Sequence, residues 1–210
     1  MVRNNRNSKL VVLAAGISAL ALTLTACGSS SDSADATATT SDAPAEVEVV
    51  DGVPATLVGM HIEGAEGGAW AAAPFGALRM WDNGTAWSQI ELAKGEFKWG
   101  NIDGLIENAT SKGMTDIMMV LGTTPEWAAK EINDSDYPQP GAASAPANMA
   151  DWDDWVSAVV DRYSDSFTSY QIWNEANLKN FFNGTPAEMA DMTKRAYDII
   201  KAKTPEALVV

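Results

Sequence analysis

The sequence SYQIWN, residues 169–174, is a short apolar and aromatic run with the length of a buried strand. The sequence TPAE, residues 185–188, then has the form of a capping box with proline at the first helical position. We therefore expect a helix from there to about Lys203. After Pro205, the apolar run ALVV at residues 207–210 indicates another strand. A strand, a helix and a second strand in this order are typical of a βα unit in a parallel sheet.

The same alternation extends toward the N-terminus. We expect strands at residues 57–62, 77–81 and 116–122, and a helix over about residues 101–112 that Gly113 would end. A further helix is expected before residue 169, because its large apolar side chains recur at the spacing of an amphipathic helix: Trp152, Trp155, Val156, Val159, Val160 and Tyr163. We interpret its tryptophans as core packing.

These repeats predict an α/β fold over residues 53–210, namely the first half of a (β/α)8 TIM barrel. A complete barrel of this kind needs about 250 residues. Residues 207–210 have the pattern of a fifth strand, with no following element to cover the edge of the sheet. We therefore expect the chain to be truncated after the fourth βα unit.

The first 26 residues have the pattern of an export signal. Arg3, Arg6 and Lys9 precede an apolar run at residues 10–24 that is too short for a membrane span of about 20 residues. The sequence LTAC, residues 24–27, resembles a bacterial lipobox. This resemblance implies that Cys27 carries a lipid and anchors the exported protein to the outer face of the bacterial cell membrane. The alternative is a spare thiol near an ordinary cleavage site.

We expect residues 27–52 to form a flexible tether. Their composition is rich in Ser, Ala, Thr and acidic residues, and it contains no aromatic residue that could contribute to a core. The whole chain has 14 basic and 28 acidic residues and a formal net charge of −14. Such a charge argues against nucleic acid as a partner and against a polybasic membrane contact. We therefore expect contact with the membrane only through the lipid on Cys27.

The chain contains one histidine, His61, and one cysteine. A zinc cluster of His and Cys and a Cys-His pair are therefore excluded, and a Ser-His-Asp triad would need His61 as its base. We expect no metal and no organic cofactor.

The ends of the four strands carry the polar and aromatic residues that suit a sugar site. In a parallel barrel these ends meet at one mouth, which is built from the βα loops. The four ends are His61, RMWD at residues 79–82, GTTPEW at 122–127 and WNEAN at 173–177. Tryptophan rings stack on sugar rings, while His, Asn and Arg side chains form hydrogen bonds with hydroxyl groups. We therefore expect a carbohydrate substrate.

The sequence IWNEAN, residues 172–177, resembles the fourth-strand Asn-Glu motif of clan A glycoside hydrolases. Among these families it most resembles family 39, which includes β-xylosidases. LRMWDNGTAW at residues 78–87 and LGTTPEWAA at 121–129 support the resemblance. It implies a retaining glycoside hydrolase in which Glu175 is the acid/base and Asn174 contacts the 2-hydroxyl of the substrate. The family motif often has proline where Ala176 stands.

In these families the nucleophile is a glutamate at the end of the seventh barrel strand, so we expect the 210 residues alone to be inactive. Arg79 either orients a catalytic carboxylate or forms a structural ion pair. Trp81, Trp127 and His61 are candidates for substrate contact, with core packing as the alternative for the two tryptophans. Trp127 and Trp173 are also the expected apolar walls beside Glu175.

Asn174 and Glu175 can both reach one sugar only if the strand ends or bulges at this point, because neighbouring side chains of a regular strand point to opposite faces. The alternative function is a lipid-anchored, non-catalytic carbohydrate-binding protein on a glycosidase-like barrel. A binding protein would not require an acid at position 175.

Overall fold

The computed structural model describes residues 52–133 and 135–210. The predicted signal peptide at residues 1–26, the lipidation residue Cys27 and all of the predicted tether except Gly52 lie outside the described residues.

The described residues form two sheets. The strands are β1 (Gly59–Met60), β2 (Ala77–Met80), β3 (Glu91–Ala93), β4 (Glu96–Phe97), β5 (Asp116–Val120), β6 (Ser169–Gln171) and β7 (Leu208–Val209). Five of them make one parallel sheet in the order β1-β2-β5-β6-β7, and β3 and β4 pair as an antiparallel hairpin. The predicted α/β class with a parallel sheet is confirmed, and the observed strands are shorter than the predicted ones.

α-Helices connect β2 to β5, β5 to β6 and β6 to β7, as expected for βα units, whereas a short 3-10 helix (Ala65–Gly67) lies between β1 and β2. The α-helices are α1 (Trp87–Ile90), α2 (Gly100–Ser111), α3 (Met149–Tyr163) and α4 (Pro186–Lys203). The predicted start of α4 is confirmed, because the Thr185 hydroxyl accepts a hydrogen bond from the Glu188 amide at 3.2 Å and Glu188 Oε2 accepts from the Thr185 amide at 2.8 Å. In the described residues the parallel sheet is open, with β1 and β7 as its edges, so the closed barrel stays a prediction.

A cluster of tryptophan rings joins the sheet to the helices. Trp87, Trp152 and Trp155 are fully buried, and the Trp87 ring centroid lies 5.7 Å from that of Trp152 and 6.2 Å from that of Trp155. Trp155 Nε1 donates to the Leu121 carbonyl directly after β5, and Trp152 Nε1 donates to the Met192 carbonyl on α4, each at 3.0 Å. The interpretation of the α3 tryptophans as core packing is confirmed.

The hairpin of β3 and β4 was not expected from the sequence. Its first residue, Glu91, is buried and accepts hydrogen bonds from Trp87 Nε1 at 2.6 Å and from the Gly95 amide at 2.7 Å. Burial raises the pKa of Glu91, and the two hydrogen bonds oppose this rise. The carboxylate thus ties the turn of the hairpin to the tryptophan cluster.

The other face of the parallel sheet is concave. A cleft of about 410 Å³ lies on this face, and its lining includes His61, Ala77, Arg79, Met118 and Ser169. Residues that alternate along β2 and β5 share this face, as expected from the two-residue period of a strand. Of the predicted site residues, His61 and Arg79 line this cleft.

Candidate active site

The strand that carries the Asn-Glu sequence ends before it reaches those two residues. β6 ends at Gln171, and Glu175 adopts the left-handed conformation with a φ of 53°. The Glu175 carbonyl then accepts a hydrogen bond from the Leu178 amide at 2.9 Å, which begins a turn. A left-handed conformation costs a non-glycine residue about 1–2 kcal/mol. The expectation that the strand ends or bulges at Asn174 and Glu175 is confirmed.

Three of the predicted site residues form a continuous chain of hydrogen bonds. Arg79 Nη2 donates to Asn174 Oδ1 at 2.9 Å, and Asn174 Nδ2 donates to Glu175 Oε2 at 3.0 Å. Arg79 thus fixes which end of the Asn174 amide faces Glu175, because the guanidinium can only donate. The structure therefore brings Arg79, Asn174 and Glu175 together at the carboxyl edge of the sheet.

Two carboxylates at this edge act on the charge of Arg79. Burial lowers the pKa of the Arg79 guanidinium, and the negative charges of Asp82 and Glu175 oppose this change. Arginine stays protonated in proteins, so the positive charge is retained beside both carboxylates. Asp82 also has a left-handed backbone, with a φ of 56°.

The ring of Trp81 lies over the arginine, and two more aromatic rings pack in series beside it. The Trp81 ring centroid lies 5.8 Å from Arg79 Cζ, which is within the range of a cation–π contact. The edge of Tyr137 packs against Trp81 at 6.0 Å, and Phe181 packs against Tyr137 at 5.3 Å. Trp81 is buried, and it packs with Ala86 and Val120 as well as beside Arg79. This is the packing alternative for Trp81, and its contact with a substrate stays a prediction.

Tyr137 is a site residue that the sequence analysis missed. Its hydroxyl donates to the Asn174 carbonyl at 3.4 Å, and burial raises its pKa to about 12. The hydroxyl therefore stays protonated and able to donate at neutral pH. Tyr137 lies in the long loop between β5 and α3, where the only signal in the sequence was a tyrosine between Asp136 and Pro138.

Gln171, the last residue of β6, was also missed. Its Oε1 accepts from Arg79 Nε at 2.9 Å, and its Nε2 donates to the Trp173 carbonyl at 2.6 Å. The sequence signal is its place two residues before Trp173 on the expected strand, on the face that also carries Ser169.

The two expected walls of Glu175 lie elsewhere. Trp127 Nε1 donates to the Glu91 carbonyl at 2.8 Å and its ring meets the edge of Trp87, so this residue packs with the hairpin and the core. Trp173 is buried, with its ring against Phe182 at 5.1 Å and with Nε1 donating to the Phe181 carbonyl. Glu175 itself is exposed. The expected burial of Glu175 between these two tryptophans was wrong.

Trp173 instead packs closely against the segment that follows β5. A Cβ atom at Gly122 would lie 2.9 Å from the Trp173 ring, so only glycine allows the end of β5 to approach this closely. His61 is exposed and lines the same concave cleft as Arg79. Among residues 52–133 and 135–210, no three His, Cys, Asp or Glu side chains are grouped to hold a metal ion.

No helix in the described part of the chain is long and apolar enough to span a bilayer. No protein-family model matches the sequence, and no curated protein matches it.

Solved structures of glycoside hydrolases resemble part of the fold. A glucosidase from Croceicoccus marinus is 17% identical with a TM-score of 0.48, over 64% of this chain and 30% of its own. A xylanase from Paenibacillus barcinonensis is 17% identical with a TM-score of 0.46, over 64% of this chain and 41% of its own. An exo-β-1,4-mannosidase from an Opitutaceae bacterium is 16% identical with a TM-score of 0.43, over 64% of this chain and 24% of its own. The chain thus spans less than half of each of these proteins.

Proposed function

We propose that the chain is part of a retaining glycoside hydrolase that cleaves O-glycosidic bonds of oligo- or polysaccharides, with Glu175 as the acid/base. The observation that carries the proposal is the hydrogen-bonded series Arg79–Asn174–Glu175 at the carboxyl edge of a parallel sheet. This edge is where barrel enzymes place their catalytic groups. The fourth-strand motif points to the same residue.

The proposed chemistry assigns Glu175 two successive tasks. As an acid it gives its proton to the glycosidic oxygen, and as a base it later takes a proton from the water that releases the sugar. Asn174 keeps one amide hydrogen beyond the one given to Glu175, and we propose that this hydrogen contacts the 2-hydroxyl of the sugar. This mechanism needs neither a metal nor an organic cofactor.

A retaining mechanism also needs a nucleophilic carboxylate about 5 to 5.5 Å from the acid. The family resemblance assigns this role to a glutamate on the seventh barrel strand, whereas the described parallel sheet has five strands. We therefore propose that these 210 residues alone bind sugar without hydrolysing it, and that hydrolysis requires a protein containing the nucleophile.

The proposed substrate is a neutral or cationic carbohydrate outside the cell. Asp82 and Glu175 give the mouth an acidic character that disfavours anionic sugars. We further propose that the lipid on Cys27 holds the protein to the outer face of the bacterial cell membrane, next to extracellular polysaccharide.

The second candidate function is carbohydrate binding without catalysis on the same fold. The exposure of the Glu175 side chain favours it, because a general acid at neutral pH is normally shielded from water. The two functions differ in what they require of Glu175, since binding alone needs no proton donor.

The test compares Glu175→Gln with Glu126→Gln, an exposed glutamate on the short helix after β5. Sugar binding to the 210-residue chain is measured by calorimetry, and hydrolysis is measured in the complete gene product. We expect both variants to bind, and only Glu175→Gln to lose about 100-fold or more in hydrolysis of a natural glycoside. Equal hydrolysis by the two variants would contradict the proposal. Binding with no hydrolysis in any form would establish the second candidate.

A further inference from the structure

The backbone around Glu175 is held in a conformation that it would not adopt by itself. Its left-handed φ of 53° is unfavourable for a residue with a Cβ atom. Such conformations persist only where the surroundings fix them. The φ of Glu175 is the rotation that directly follows the peptide plane of the Asn174 carbonyl, and the plane of the Trp173 carbonyl comes one residue earlier, at the entry to the turn. The contacts of these two carbonyls restrain the conformation together with the hydrogen bond from the Leu178 amide to the Glu175 carbonyl.

Each of the two carbonyls accepts a hydrogen bond from a side chain on a different part of the fold. Gln171 Nε2, at the end of β6, donates to the Trp173 carbonyl at 2.6 Å. The Tyr137 hydroxyl, from the loop between β5 and α3, donates to the Asn174 carbonyl at 3.4 Å. Tyr137 therefore restrains the peptide plane next to Glu175, and Gln171 restrains the plane one residue before it.

The same two residues also restrain the side chains of the site. Gln171 Oε1 accepts from Arg79 Nε at 2.9 Å, which leaves Arg79 Nη2 directed at Asn174. The Tyr137 ring packs between Trp81 and Phe181, so the hydroxyl has little freedom to move away. Gln171 thus links the backbone of the turn to the arginine that orients Asn174.

We infer that Gln171 and Tyr137 are positioning residues that hold the turn so that Glu175 stays in hydrogen-bond contact with Asn174. Neither residue has to touch the sugar for this role. The expected effect on hydrolysis rests on the proposed glycosidase function, whereas the expected effect on the backbone of Glu175 does not. A group held in place contributes to catalysis because a displacement of about 1 Å can cost about 100-fold in rate.

The first experiment measures geometry in the 210-residue chain. NMR chemical shifts and the one-bond Hα–Cα coupling of Glu175 report whether its φ is positive. We expect Tyr137→Phe combined with Gln171→Leu to lose the positive φ, and each single variant to lose it in part. The matched controls Tyr163→Phe and Gln89→Leu remove side-chain hydrogen bonds elsewhere and should leave the Glu175 signals unchanged. A double variant that keeps the positive φ overturns the inference, whatever its activity.

The second experiment measures hydrolysis in the complete gene product. We expect Gln171→Leu and Tyr137→Phe to slow a natural glycoside about 10- to 100-fold, and an activated aryl glycoside much less. Gln171→Glu keeps the acceptor for Arg79 but replaces the donor to the Trp173 carbonyl with a second acceptor, so it should be slowed as much as Gln171→Leu. A loss that is equal for both substrates, or full recovery by Gln171→Glu, would overturn the inference.

The two experiments separate this inference from the proposed function. If Glu175→Gln hydrolyses both substrates as fast as the unmodified protein, the proposed function fails. The NMR measurement of the φ of Glu175 then decides the inference by itself. If Glu175→Gln shows the expected selective loss and the Gln171 and Tyr137 variants do not, the proposed function stands and the positioning role fails.

Discussion

Asn174 Nδ2 donates to Glu175 Oε2 across 3.0 Å, although neighbouring side chains of a regular strand point to opposite faces. The contact forms because β6 ends at Gln171 and because the left-handed backbone of Glu175 turns its side chain toward Asn174. Arg79 then fixes the orientation of the Asn174 amide. The candidate site therefore depends on an unfavourable backbone conformation, and this dependence can be measured as stability.

The first prediction concerns the cost of that conformation. Glycine adopts a positive φ without steric penalty, whereas alanine does not. We therefore expect Glu175→Gly to be more stable than Glu175→Ala by about 1 kcal/mol, as measured by urea unfolding of the 210-residue chain. The same comparison at Asp82, which also has a positive φ, is the matched control and should give a similar difference. Equal stability of the glycine and alanine variants at position 175 would contradict the strain assigned to this turn.

Local signals in the sequence predicted the strands of the parallel sheet and the helices α2, α3 and α4. The capping box at Thr185 and the periodic tryptophans of α3 each depend on residues a few positions apart, and the structure confirms both. The Asn-Glu motif and Arg79 were also identified, because the carboxyl ends of parallel strands meet at one edge.

The contacts that the sequence did not predict join residues far apart in the chain. The Gln171 side chain accepts a hydrogen bond from Arg79, which is 92 positions away in the chain, and the Tyr137 hydroxyl donates one to the Asn174 carbonyl, which is 37 positions away. Trp127 was placed at the mouth because it follows a strand, but the unexpected hairpin offers it the Glu91 carbonyl as an acceptor. No local pattern indicates such partners, because they depend on how the loops pack.

The second prediction concerns the pH dependence that Glu91 adds. Burial raises its pKa in the folded protein above the ordinary value of 4.5. Folding therefore favours the protonated form of Glu91. The contribution of this carboxyl to the free energy of unfolding is complete at low pH and is lost as the pH rises through the raised pKa. We expect the stability difference between the unmodified chain and Glu91→Gln to shift in favour of the variant as the pH rises above about 4.5.

The measurement for Glu91 is urea unfolding at several pH values. Glu96→Gln, at an exposed position on the other strand of the same hairpin, is the matched control and should show no such shift. If the stability of Glu91→Gln differs from that of the unmodified chain by the same amount at every pH, the pKa of Glu91 does not change on folding and the prediction is wrong.

The third prediction concerns attachment to the membrane. If Cys27 carries the lipid, Cys27→Ser should release the protein from the membrane fraction, because a lipid with two chains gives stable attachment. The check is fractionation of cells followed by immunodetection. Ser29→Ala, two residues away and without a role in lipidation, should stay with the membrane. A Cys27→Ser protein that remains membrane-bound would show that another segment holds it.

The fourth prediction concerns how Glu175→Gln depends on the leaving group, in the complete gene product. An aryl glycoside with an acidic phenol departs with little protonation, so its first step should be slowed far less than that of a natural glycoside. The second step still needs a base, so the glycosyl-enzyme should accumulate. A small anion such as azide needs no base and should restore turnover with retained configuration, as followed by NMR of the product. Equal slowing of both substrates without rescue by azide would remove the acid/base role and leave Glu175 as a binding carboxylate.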